Sequence, residues 1–161
     1  MYQYIFLDLD DTILDFHKAE AIAVTKAFVS LGIAPTETLV CRYSEINQMH
    51  WQMLERGECT REQVLVDRFA HLFQERGIQA NALECKESYE NFLCMGHYFI
   101  PGAEEILPYL AEKYQLYLAS NGTARVQDSR LKSAGIRPYF QDVFVSERMG
   151  SHKPSLTFFE A

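Results

Sequence analysis

From about Phe16 to Gly96 the chain carries only helical periodicity, and strand-like runs occur only before and after that stretch. Tyr4-Ile5-Phe6-Leu7, Leu116-Tyr117-Leu118-Ala119 and Val143-Phe144-Val145 are short and continuously apolar. Runs of this kind suit strands buried on both faces of a parallel sheet. In the middle stretch, Ala21, Val24, Phe28 and Leu31 share one helix face, and Gly32 stops the helix. Thr36 opens a second helix with Val40, Tyr43, Ile46 and Leu54, closed by Gly57. Thr60 and Gln63 spell a capping box ahead of Leu65, Phe69, Leu72 and Phe73. Leu83, Tyr89, Phe92 and Leu93 mark a fourth helix, and Pro101-Gly102 then turns the chain into a short helix ending near Lys113. A further helix runs to about Ala134 and stops at Gly135. Strands alternating with helices around a helical insertion predict an α/β fold. The expected architecture is a doubly wound, Rossmann-like parallel sheet built from residues 1–15 and 97–161, with residues 16–96 as an inserted helical cap. An insertion after the first strand belongs over the strands' C-terminal ends, where ligands bind in open α/β sheets.

Each predicted strand is followed by a polar cluster: Asp8/Asp10, then Ser120/Asn121, then Lys153. A parallel sheet brings all three to one edge. Asp8 and Asp10 stand two apart, so on an extended backbone their side chains point the same way. Adjacent carboxylates resist ionising together unless a cation separates them, and a hard divalent ion such as Mg²⁺ suits oxygen ligands. One carboxylate is then available as a nucleophile and the other for proton transfer. Capping of the following helix is the plainer use of an Asp-rich turn. Ser120 and Asn121 precede Gly122 and a helix, a setting for an anion cradle or for ordinary N-capping. Lys153, before Pro154, is placed either to neutralise phosphate charge or to sit solvated at the surface.

Composition narrows the partners. The net charge of −7 argues against gripping a nucleic-acid backbone, which needs clustered Lys and Arg. No apolar run approaches the roughly 18–20 residues that span a bilayer, and the acidic start MYQYIFLDLDD does not read as a leader, so a cytoplasmic protein is expected. Cys41, Cys59, Cys85 and Cys94 form no CxxC pair and read as reduced thiols.

The chain resembles the haloacid-dehalogenase-like hydrolase superfamily with the cap between its first and second motifs. Asp8-Leu9-Asp10-Asp11-Thr12 matches the DxDxT motif, Ser120 the second motif, and Lys153 in GSHKP the third. DLDDTILDF, PGAEEILPYL, SNGT and VSERMGSHKP are similar to the pyrimidine-type nucleoside 5′-monophosphatases of that superfamily. The resemblance implies Asp8 as the nucleophile that forms an aspartyl-phosphate and Asp10 as the general acid and base. It implies Mg²⁺ held by the Asp8 carboxylate and the Asp10 carbonyl, and Lys153 tying Asp8 to the phosphate. Thr12, Ser120 and Asn121, with Gly122 beside them, would hold phosphoryl oxygens or shape the loop. An acid–base aspartate at Asp10 separates the chain from the superfamily's dehalogenases.

In the cap, Asn47 and Trp51 lie one helical turn apart and are candidates to meet a nucleobase, as is Phe16 at the cap entrance. The same residues serve equally as packing groups. The expected substrate is a small phosphorylated molecule, a nucleoside monophosphate first and a sugar phosphate, for a phosphatase or phosphomutase, second. The family's fourth, acidic motif does not follow Lys153 before Ala161. The chain is therefore expected to be a truncated form, with turnover in question and binding of metal or phosphate without turnover as a third reading. A sheet lacking strands also predicts an open edge, an exposed apolar face and a homodimer or aggregate.

Overall fold

The computed structural model describes residues 3–160. The chain divides into two compact units, residues 1–19 with 94–161, and residues 20–93.

The first unit holds three parallel strands, β1 (Tyr4–Leu7), β2 (Gln115–Ser120) and β3 (Phe140–Val145), in the order β1-β2-β3. Leu7 pairs with Leu118, and Ser120 with Val145, so the strands end at one edge. The connecting helices, fifth and sixth in chain order, are α5 (Ala103–Lys113) and α6 (Ala124–Ser133). Two successive crossovers in the same direction, right-handed as such connections almost always are, put both helices on one face. Leu107 of α5 and Leu131 of α6 accordingly share a buried cluster with Leu9, Leu14, Leu116, Leu118, Val143 and Val145.

Of the two expectations for this sheet, burial of β1 on both faces gives way to the exposed apolar face. Only one face of the strand is covered: Tyr4 is 54% and Phe6 60% exposed. On this open face Phe6 stacks on Tyr117 at 5.1 Å between centroids, and Tyr117 on Phe144 at 6.2 Å. The apolar run was buried-strand-like in composition, but neither of the two connections joining β1, β2 and β3 covers this side of the sheet.

The second unit is helical. The later part of α1 (Phe16–Ser30) is joined by α2 (Glu37–Glu55), α3 (Arg61–Arg76) and α4 (Ala82–Leu93). Helix α2 starts where Thr36 accepts from the Leu39 amide, and α3 starts at the capping box of Thr60 and Gln63. Phe28, Tyr43, Phe69, Phe73 and Tyr89 form its aromatic core, with Tyr43 stacked on Phe69 at 4.9 Å. Such ring pairs add to the free energy of area burial by about 0.5–1.5 kcal/mol each. Among the described residues no helix is long and apolar enough to cross a membrane.

Candidate active site

The turn after β1 is wound around one carbonyl. The Leu9 oxygen accepts from the Ile13 and Leu14 amides, each at 3.0 Å, and the Asp11 amide donates to the Leu14 oxygen at 2.8 Å. Leu9, Ile13 and Leu14 are buried and anchor this turn. Because side chains alternate along the extended segment, Leu9 enters the core while Asp8 and Asp10 lie to its other side. Asp11 takes a left-handed conformation (φ 56°), a region where Asp is among the better-tolerated side chains.

Helix capping falls to neighbours of the two key carboxylates. Asp15 accepts from the Lys18 amide at 2.8 Å, and Asp11 from the Phe16 amide at 2.9 Å, at the start of α1. Asp8 and Asp10 are thereby left for other partners. The Asp8 Oδ1 accepts from its neighbour Leu9 N–H at 2.9 Å and from the Lys153 ammonium at 2.8 Å. Its Oδ2 has no protein partner among the described residues, and the Asp8 side chain is 44% exposed. Lys153 also donates to the Ala119 carbonyl at 2.6 Å, which locks its head at the end of β2.

Lys153 is delivered by a loop that Asn121 holds by its backbone. The Asn121 Nδ2 donates to the Lys153 carbonyl at 2.9 Å, and its Oδ1 accepts from the Lys153 amide at 2.8 Å. Asn121 therefore shapes the loop, with its amide turned to Lys153. Next to it, Glu147 of the short helix α7 (Ser146–Met149) accepts from the Ala124 amide at 2.6 Å, so the start of α6 already has a carboxylate partner.

Two residues that the sequence patterns did not single out complete the arrangement. Arg130 is fully buried and donates from Nη1 to Asp10 Oδ1. Gln127 donates from Nε2 to Asp10 Oδ2 at 2.7 Å and to the Ser120 Oγ at 2.8 Å. The mutual repulsion of the aspartates, which called for a cation in the sequence reading, is thus answered partly by protein: Lys153 faces Asp8 and Arg130 faces Asp10. The available signal was the position of Gln127 and Arg130, three apart on α6 and flanked by the buried Val126 and Leu131. Charged and amide side chains on a buried helix face need partners.

The remaining predicted residues are distributed as follows. Ser120 is buried and accepts from the Gly122 amide at 3.2 Å. Thr12 is exposed on the β1 turn. Phe16 lies half-buried under the Arg130 guanidinium, 5.9 Å from ring centroid to charge. Asn47 does not present itself to a ligand. It is only 2% exposed, donates to Glu20 at 2.6 Å and accepts from Arg68 at 2.7 Å, inside the helical unit. Its amide is consumed by that buried network, which corrects its reading as a base contact. Trp51 is half-buried, with Arg61 over its ring at 5.4 Å.

No group of three or more His, Cys, Asp or Glu side chains is placed to hold a metal ion among the described residues. The donor set that the family resemblance implies is oxygen only: the Asp8 carboxylate and the Asp10 main-chain carbonyl. Two hard oxygens fit a cation that keeps several waters, as Mg²⁺ does, and do not fit a soft transition metal.

Parallel strands with polar residues gathered beyond their carboxyl ends define an α/β protein whose site sits at the sheet edge. The model of the haloacid dehalogenase-like hydrolases matches residues 4–161. The chain belongs to that family. It is 38% identical to the HAD-hydrolase YfnB of Bacillus subtilis over 98% of this chain and 67% of that protein. A crystal structure of YfnB bound to magnesium matches with a TM-score of 0.94, covering 99% of this chain and 71% of the other. The pyrimidine 5′-nucleotidase PynA of Streptococcus pneumoniae is 32% identical over 99% of this chain and 68% of its own length. L-2-haloacid dehalogenase of Xanthobacter autotrophicus shares the fold, with a TM-score of 0.74 at 17% identity, 99% of this chain and 63% of that one being covered.

Proposed function

We propose that the chain carries the site of a Mg²⁺-dependent phosphomonoesterase acting on nucleoside 5′-monophosphates. The observation that carries this reading is the division of labour at Asp8: on a side chain that is 44% exposed, one oxygen is held by Lys153 and the other has no protein partner among the described residues. A carboxylate fixed in this way is placed to attack phosphorus. Its Oδ2 forms the new O–P bond as the ester P–O bond breaks, and protonated Asp10 gives its proton to the departing 5′-oxygen. Asp10, now a carboxylate, takes a proton from water as the water oxygen attacks phosphorus. Asp8 is released and inorganic phosphate leaves. Each Asp10 oxygen accepts a bond from α6 and retains a second lone pair, which can carry the proton donated to the leaving oxygen or accept one from the water. Lys153 stabilises the charge that gathers on the phosphoryl oxygens.

The Asp8 carboxylate and the Asp10 carbonyl would hold Mg²⁺, which supplies charge neutralisation for the phosphate when bound. The magnesium in YfnB and the pyrimidine nucleotidase activity named for PynA support this choice of cofactor and substrate. Self-association through the open aromatic face of the sheet belongs to the same proposal.

The direct test is release of inorganic phosphate from UMP, dUMP, dTMP and IMP, with Mg²⁺ or with EDTA. Release is expected with Mg²⁺, with pyrimidine esters preferred, and is expected to vanish with EDTA and in Asp8→Asn. Release that survives Asp8→Asn would remove the aspartyl-phosphate reading. Chloride release from a 2-haloacid without metal would point instead to dehalogenation.

A further inference from the structure

We propose that Gln127 and Arg130 are positioning residues that hold the Asp10 carboxylate and the Ser120 hydroxyl in one fixed frame. The proposal rests on the phosphatase reading and deepens it, because it says how the proton-transfer group is aimed.

The donors and acceptors can be assigned without ambiguity. Arg130 has no acceptor atoms, so its Nη1 must donate to both the Asp10 Oδ1 and the Gln127 Oε1, the latter at 3.1 Å. With its carbonyl so engaged, the Gln127 amide cannot flip. Its two N–H groups then go to Asp10 Oδ2 and Ser120 Oγ, and both are used. Arg130, Asp10 and Gln127 form a closed ring. Ser120 accepts from Gln127 and from the Gly122 amide, which leaves its hydroxyl hydrogen as its remaining contribution, the polarity an anion requires.

Arg130 itself is anchored away from Asp10. Its Nε donates to the Gly96 carbonyl at 2.9 Å, and its guanidinium lies over Phe16. Burying a guanidinium completely is costly, and replacing a whole buried ion pair by apolar side chains is often neutral or stabilising. Its Nη2 is buried with no partner among the described residues. A side chain retained for packing alone would not need to leave a donor unmet. The arrangement is better suited to fixing a carboxylate whose direction matters: its plane is set by donors on both oxygens, and neither donor residue reaches the phosphorus side through Asp8.

The experiment compares two phosphate esters in the full chain with Mg²⁺. A nucleoside 5′-alkoxide is a poor leaving group that needs the proton of Asp10, whereas p-nitrophenolate leaves without one. General acid catalysis is worth about 10²–10⁴-fold. In Arg130→Lys and Gln127→Leu, kcat/KM for UMP is expected to fall roughly 10²-fold or more, as part of that acid contribution is lost, against less than about 10-fold for p-nitrophenyl phosphate. This ratio reports formation of the aspartyl-phosphate, the step in which the leaving group departs. Gln127→Leu is also expected to raise KM for both esters, since it frees Ser120, while Arg130→Lys leaves KM nearly unchanged. Equal losses of kcat/KM on the two esters would overturn the positioning role.

A second readout does not depend on turnover. Thermal midpoints of Asp10→Ala, Arg130→Lys and the double variant form a cycle. The double variant is expected to lose less than the sum of the single losses, and additive losses would overturn the clamp itself. No phosphate release from either ester by the folded wild-type chain would overturn the phosphatase reading and the clamp's catalytic meaning together, and the cycle would still decide whether the contact exists.

Discussion

His50 shows how one buried side chain can tie stability to pH in the helical unit. It is buried beside His71, with 3.4 Å between the His50 Nε2 and the His71 Nδ1. Desolvation lowers its pKa below the ordinary 6.5, and the neighbouring His71 and Arg68 add to the effect against the opposing pull of Asp67. A histidine depressed in the folded state binds protons more readily once unfolded. Its neutral form costs nothing above pH 6.5, and stability declines as the pH falls below that value toward the folded pKa. The thermal midpoint is therefore expected to fall between pH 7 and pH 5, and to fall less in His50→Gln. Parallel profiles for the two proteins would show that other groups carry the dependence. Cys85 illustrates the same physics without a switch: burial pushes its thiol up to about 12, so it stays protonated at any working pH.

At the scale of elements, the start of α6 carries more of the site than any other segment. Ser120 ends β2, Asn121 clamps the Lys153 loop, and Gln127 and Arg130 reach back to Asp10 from the helix itself. Gly122 is what allows the chain to pass so close. A Cβ there would lie 2.7 Å from the Gln127 Cδ and 2.8 Å from its Cγ, tighter than real contacts tolerate. Gln127 cannot swing aside without breaking its bonds to Asp10, Ser120 and Arg130. Gly122→Ala is expected to destabilise the chain by about 1–3 kcal/mol, as overpacking of a buried site does. The same variant should lower phosphate release more than its stability loss accounts for. Chemical denaturation beside an activity assay checks both, and a variant of unchanged stability would mean that Gln127 relocates freely. The capping box at Thr60 and the stop glycines of the helices were readable beforehand because their partners lie within a few residues. Gln127 and Arg130 were not, because their partner Asp10 is 117 and 120 residues away.

At the scale of the whole molecule, the open face of the sheet is the most consequential feature. Tyr4, Phe6, Tyr117 and Phe144 form a continuous aromatic surface, and β1 is an edge strand with no partner on its outer side among the described residues. Exposed apolar surface beside an unpaired edge favours pairing with another chain. Light scattering is expected to show mass rising with concentration, and Phe6→Ser is expected to reduce it. A monomer at all concentrations would show that the face tolerates water. The local patterns of the chain were enough to place the three strands, the longer helices and the parallel α/β class, since periodicity and turn chemistry act over a few positions, but not the short helix α7 that separates β3 from Lys153. Three things were decided only in tertiary structure. Both crossovers run the same way and cover one face of β1, so which side of the sheet stays open is settled by the fold. Asn47 is drawn into a buried network by Glu20 and Arg68, which its helical spacing from Trp51 could not disclose. Asp10 receives its cation from Arg130, because a buried charge takes whichever partner the packing brings within reach, and that choice is made across the fold rather than along the chain.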